Sequence, residues 1–133
     1  MLSEECVREL RSSWLPNITD DGLHRLMELL EKNSPLLIQG CFTRAVPMGC
    51  LATQAAWHHP QTCHMTFEAG INWLHRVAKL NPATSHVIRE WDSRGAYDWE
   101  MRADLLEVFR GEYDRRTQAP TQNLDLPQQL THA

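Results

Sequence analysis

A chain of 133 residues, 42% hydrophobic and 23% charged, has the size and composition of one ordinary folded domain, able to build a core without disulfides or metal. Its net charge of −4 opposes broad electrostatic attraction to nucleic acid or to an anionic membrane. No apolar run approaches the roughly 20 residues of a membrane-spanning helix, and the acidic start MLSEECVREL lacks the apolar stretch of a secretory signal.

The elements follow in chain order. Ser3 before Glu4 and Glu5 caps a first helix on which Val7, Leu10 and Trp14 share helical spacing, and Pro16-Asn17 stops it. Thr19, Asp20 and Asp21 cap the second. There Leu23, Leu26, Met27 and Leu30 recur at i, i+3, i+4 and i+7. Ser34-Pro35 opens a third, LLIQGCFTRAV (36–46), apolar on most sides and therefore expected at the centre. Pro47 breaks it. A fourth helix, from Met48 to Trp57, is rich in small residues that permit close approach to the third or fifth, and His58-His59-Pro60 ends it. The fifth, from Thr62 to Leu80, places Phe67, Ile71, Leu74 and Ala78 on one narrow apolar arc.

After Asn81-Pro82, ATSHVIREW predicts a short sixth helix and Asp92–Gly95 a loop. A seventh from Tyr97 to Arg116 carries the widest apolar face, with Trp99, Met101, Leu105, Leu106, Val108, Phe109 and Tyr113, and the ion pair Glu112–Arg116 at i+4. The composition then changes. Residues 118–133 are rich in Gln with two prolines and almost no charge, as expected of a disordered C-terminal tail. No strand is expected. The fold class is all-α: a compact single-domain bundle of six or seven helices over residues 1–117, with the fifth and seventh as the main packing surface.

The unusual chemistry lies between Cys41 and Leu80, which holds three of the four cysteines and four of the seven histidines. His64, Glu68 and His75 fall within about 40° on the fifth helix. His64 and His75 are about 16 Å apart along its axis, so one ion cannot bridge them. A zinc or iron site would have to draw on His58, His59, Cys63, His64 and Glu68 at the bend. Their spacing matches no zinc-finger, HExxH, haem or di-iron pattern. Cys41, Cys50 and Cys63 are candidates for a histidine-activated thiolate. Cys41 and Cys50 sit in apolar contexts that suit buried, inert thiols, and Cys63 has the least buried surroundings.

Residues 76–95, RVAKLNPATSHVIREWDSRG, place Ala78 and Lys79 in one helix and Thr84, Ser85, His86 and Arg89 in the next. This stretch resembles the bacterial helix-turn-helix pattern, with a turn two or three positions short and Pro82 where glycine is usual. The resemblance implies DNA contacts from Lys79, Ser85, His86 and Arg89. The acids Glu90 and Asp92 oppose it.

No glycine-rich phosphate loop, GxSxG or paired-carboxylate arrangement is present, so nucleotide hydrolysis and acyl transfer have no motif and the balance leans away from an enzyme. Few, irregularly spaced cysteines without a CxxC pair suit free thiols in the cytoplasm. The five tryptophans suit core and boundary packing with each indole N–H partnered, and one or two could anchor a partner. The expectation is a small cytoplasmic regulatory or adaptor protein that binds another protein. The alternatives are a zinc or iron protein using residues 58–75 and a DNA-binding regulator using residues 76–95.

Overall fold

Ser3 accepts the Cys6 N–H at 3.1 Å and starts α1 (Glu4–Glu9), with the acidic first turn at the positive end of the helix dipole. The helix continues as a π-turn over Leu10–Trp14. In the computed structural model, which describes the backbone of residues 1–125 and the side chains of residues 1–118, the Thr19 side chain then caps α2 (Asp20–Glu31) by accepting from Gly22 N–H. Leu23, Leu26 and Leu30 are buried as their spacing predicts. A Schellman turn closes α2. Asn33 takes φ of 53°, Asn33 N–H bonds Leu30 C=O, and Ser34 N–H bonds Leu29 C=O at 2.9 Å.

The all-α expectation fails over residues 36–49. The apolar stretch expected as a central third helix is an extended segment followed by a hairpin. Thr43–Ala45 (β1) pairs antiparallel with Met48–Gly49 (β2), in register Thr43 to Gly49 and Ala45 to Met48 across a bulge, and Leu37 bridges Gly49 from the other side. The Val46–Pro47 peptide is cis. Two features defeat the helix. Gly40 sits at φ 87°, outside helical geometry. The buried amide of Gln54 donates to the carbonyls of Leu36 (3.1 Å), Pro47 (3.0 Å) and Gly49 (3.4 Å), giving backbone acceptors the partners a helix would have supplied.

Gln54 belongs to α3 (Leu51–Ala56), whose six residues are all buried. The small residues do permit close helix packing, against α4 (Ala69–Asn72). Gly70 is the point of closest approach, since a Cβ there would lie 2.9 Å from Thr53 N. The fifth helix therefore starts at Ala69 and not at Thr62. It passes into a second π-turn, Trp73–Val77, closed by Ala78 N–H to Trp73 C=O at 2.9 Å. One extra residue per turn rotates the helix face by about 100°. Leu74 and Ala78 stay buried, while Ile71 (41% exposed) leaves their arc. Phe67 lies before the helix and is also exposed.

Helix α5 (His86–Glu90) runs into a third π-turn, Trp91–Gly95, where a loop was expected. A Cβ on Gly95 would strike the Trp91 ring, so glycine lets the indole lie across the turn. Helix α5 is held by Glu9 of α1. This buried carboxylate accepts from His86 N–H (2.7 Å), Val87 N–H (3.3 Å), Ser85 Oγ (2.5 Å) and Trp14 Nε1 (3.0 Å). Four donors and a helix N-terminus offset its desolvation.

The last helix, α6 (Trp99–Asp125), continues beyond the expected end at Arg116. Residues 118–125 of the expected tail are therefore helical, and residues 126–133 lie outside the described residues. The fully buried stripe of α6 is narrower than expected: Met101, Leu105 and Phe109, one turn apart. Its main partner is α2, in place of the expected fifth helix. Arg116 closes the end of this contact through Glu112 (2.7 Å), Asp20 (2.8 Å) and the carbonyls of Leu15 and Ile18. The molecule is mostly helical, with six α-helices among the described residues and one two-stranded ribbon. No helix among those residues is long and apolar enough to cross a membrane.

Candidate functional site

The bend carrying the metal candidates is a series of turns between α3 and α4. His58, Cys63, His64 and Glu68 are exposed there and His59 is half-buried. His59 Nδ1 accepts the Gln61 N–H at 3.1 Å, and partial burial pushes its pKa below the ordinary histidine value. Glu68 accepts from Thr66 N–H at 3.3 Å. Because the helix starts at Ala69, His64 and Glu68 do not share a helical face with His75, contrary to the expected arc. Among the described residues no three His, Cys, Asp or Glu side chains come together as a metal site would require.

All four cysteines are free. Burial pushes the Cys6 thiol up to about 12 and the Cys50 thiol up to about 11, which suppresses the thiolate at both. Cys63 is exposed as expected. Cys41 is exposed too, because it lies in the segment before β1 and not in an apolar helix.

In the helix-turn-helix stretch, Lys79, His86 and Arg89 are exposed, but Ser85 is buried. Its hydroxyl caps α5 through Ile88 N–H and donates to Glu9, so it faces the interior. Helix α5 packs on α1.

A different place in the molecule combines exposed aromatics with unbalanced charge. Tyr97 and Trp99, at the entry to α6, are 94% and 79% exposed. Two clefts open beside them and meet at Asn33 and Arg102. The first, about 350 Å³, is walled by Pro35, Ile38, Arg44, Met48 and Tyr97. The second, about 440 Å³, lies against Leu30, Trp99, Ala103 and Leu106.

Arg102 is only 4% exposed. Its guanidinium donates to the carbonyls of Ala96 (2.9 Å), Leu29 (3.2 Å) and Ser34 (3.4 Å), so it caps the C-terminal end of α2 and ties it to the start of α6. Its Nε–H has no partner, and no carboxylate pairs with it among the described residues. Burial pushes its pKa below the ordinary arginine value. Buried charges are ordinarily paired. Among the described residues Arg44, exposed on β1, has no ion pair either, and no Asp or Glu lines the first cleft. In the second, Glu31 is engaged by Arg110 at 3.0 Å. Asp92 sits outside, accepting from Gly40 N–H at 3.0 Å. The result is a positive concavity on an acidic protein.

Neither arginine was among the site residues expected from the sequence. Arg102 carried a legible signal. At about 100° per residue it falls inside the arc of Leu105, Phe109 and Leu106, and a charge inside an apolar stripe needs a reason. Arg44 carried none, because its position depends on the hairpin. Comparison with protein-family models, curated proteins and solved structures finds no match to this chain.

Proposed function

We propose that the chain is a small cytoplasmic regulatory or adaptor protein that acts by binding another protein, through the surface around Tyr97 and Trp99. The observation carrying this reading is the pair of large aromatics left exposed beside two clefts, while Trp14, Trp73 and Trp91 are fully buried. Aromatic and arginine side chains around a pocket are the composition of binding hot spots. The exposed rings cost solvation and contribute little to this fold, whereas covering them on binding would recover that free energy.

The experiment is affinity capture from extract of the native host with the wild-type protein and the double variant Tyr97→Ala/Trp99→Ala, both shown by circular dichroism to melt alike. Proteins retained by the wild type should be lost with the variant. Identical capture by the two proteins would overturn the assignment of this surface.

A further inference from the structure

We infer that the cleft between Arg44 and Arg102 is a carboxylate-recognition pocket, which takes an acidic group of a partner polypeptide while the adjoining cleft under Trp99 takes a neighbouring apolar side chain. The inference rests on the protein-binding reading above and names the chemistry recognised.

The argument is one of charge and shape. The chain carries a net −4, yet among the described residues the first cleft is lined by two arginines and no acid. Arg102 is committed to three carbonyls and only 4% exposed, so it acts mainly through its field. In a low-dielectric wall that field is weakly screened and directed toward the opening. Arg44 stands exposed on β1, free of ion pairs among the described residues, and can approach an anion directly. A carboxylate entering the cleft gains a charge-assisted hydrogen bond from Arg44 and supplies the counter-charge that Arg102 lacks. Asn33, at the junction of the clefts, and the Tyr97 ring offer neutral polar and apolar contacts beside it.

The second cleft differs in kind. Its walls at Leu30, Ala103, Leu106 and Trp99 are apolar, and its one acid, Glu31, is neutralised by Arg110. An acidic group beside an apolar side chain would fill both clefts with Arg102 between them. A uniformly apolar peptide would leave the first unused, and a basic one would be repelled.

The test uses the full-length, 15N-labelled protein and three probes: N-acetyl-Leu-Phe with a free C-terminal carboxylate, the same dipeptide amidated, and N-acetyl-Phe-Glu-amide. The first and third separate a chain terminus from an acidic side chain as the source of the carboxylate. At least one should shift the amides of residues 33–48 and 96–102, the Trp99 indole N–H and the Arg102 Nε–H signal. The amidated, charge-free dipeptide should bind about tenfold more weakly or worse. Affinity should fall with added salt. Arg44→Glu, an exposed change that should leave the melt unaltered, should abolish the shifts.

Equal binding of charged and amidated dipeptides, shifts centred elsewhere, unaltered binding by Arg44→Glu, or no shifts at millimolar probe would each overturn the pocket. If the probes fail while capture still depends on Tyr97 and Trp99, carboxylate recognition falls and the protein-binding surface stands. If the probes bind as expected while capture ignores those aromatics, the pocket stands and the protein-binding reading falls.

Discussion

Trp91 and Trp99 stand eight residues apart and meet opposite environments. Trp91 is fully buried in a π-turn, donates from its indole to Ile38 C=O at 2.6 Å, and lies over Gly95. Trp99, one element later, is 79% exposed beside a cleft. Trp14 and Trp73 are also fully buried; the Trp14 indole donates to Glu9 at 3.0 Å, whereas the Trp73 indole N–H has no partner among the described residues. Each belongs to a π-turn, and their rings meet edge to face at 5.1 Å. A wide turn and a large buried ring thus recur together three times. Trp99, in an ordinary helical turn at the start of α6, is left to solvent. The buried rings account for stability, and the exposed one is available for recognition.

The widest separation between the two regions should appear in stability. Trp91→Ala, and likewise Phe109→Ala on the α6 stripe, should each cost about 3–5 kcal/mol by urea denaturation. Trp99→Ala should change stability by less than about 0.5 kcal/mol. Similar costs at Trp91 and Trp99 would erase the distinction.

Next in size is the polar anchor beneath the tryptophans. Glu9→Ala removes the acceptor shared by Trp14, Ser85 and the start of α5 and should cost about 2–4 kcal/mol, because buried donors are left unpaired. A nearly neutral result would show that α5 is held by apolar contacts alone.

A smaller effect is expected in acid. The hydrogen bond from Arg115, aided by Arg116, holds the Glu112 carboxyl below its ordinary value. The Met101 N–H, followed by Arg94, does the same for Asp98. For a carboxyl with a depressed folded-state pKa, the stabilisation is present above the unfolded value. It is lost as pH falls through the folded one. The melting temperature should therefore drop as pH is lowered below about 4, and Glu112→Gln should flatten that drop. An unchanged acid profile in that variant would discount the Glu112 pairs.

The mildest probe leaves the fold intact. A thiol reagent at pH 8 should label Cys41 and Cys63 rapidly and reach Cys6 and Cys50 only on unfolding, since burial raises the latter pair. Rapid labelling of Cys50 would mean that the α3 region opens readily.

Helices α1 and α2 were legible because their caps and their apolar spacing agree. Ser3 and Thr19 cap as expected, and Leu23, Leu26 and Leu30 are buried as one stripe. Phe109 and the Glu112–Arg116 pair were legible for the same reason. Residues 36–49 were not. Their apolar run satisfies helix and extended chain alike, and the choice rests on Gln54, a residue from the next element that reaches back to three of their carbonyls. Ile71 was misplaced because the turn at Trp73 adds a residue, and the resulting rotation of the face has no marker at Ile71 itself.

The sequence by itself determined a mostly helical domain, its N-terminal caps, the core stripe of α2 and the exposure of Cys63. Each follows from contacts within about one helical turn, which the order of residues specifies directly. The tertiary structure alone decided that Glu9 anchors α5, that Arg102 lacks a carboxylate partner among the described residues, and that Arg44 and Tyr97 border one cleft. Those facts depend on residues from about 50 to 80 positions apart being brought together. A short-range pattern cannot encode which distant acceptors a buried charge will meet.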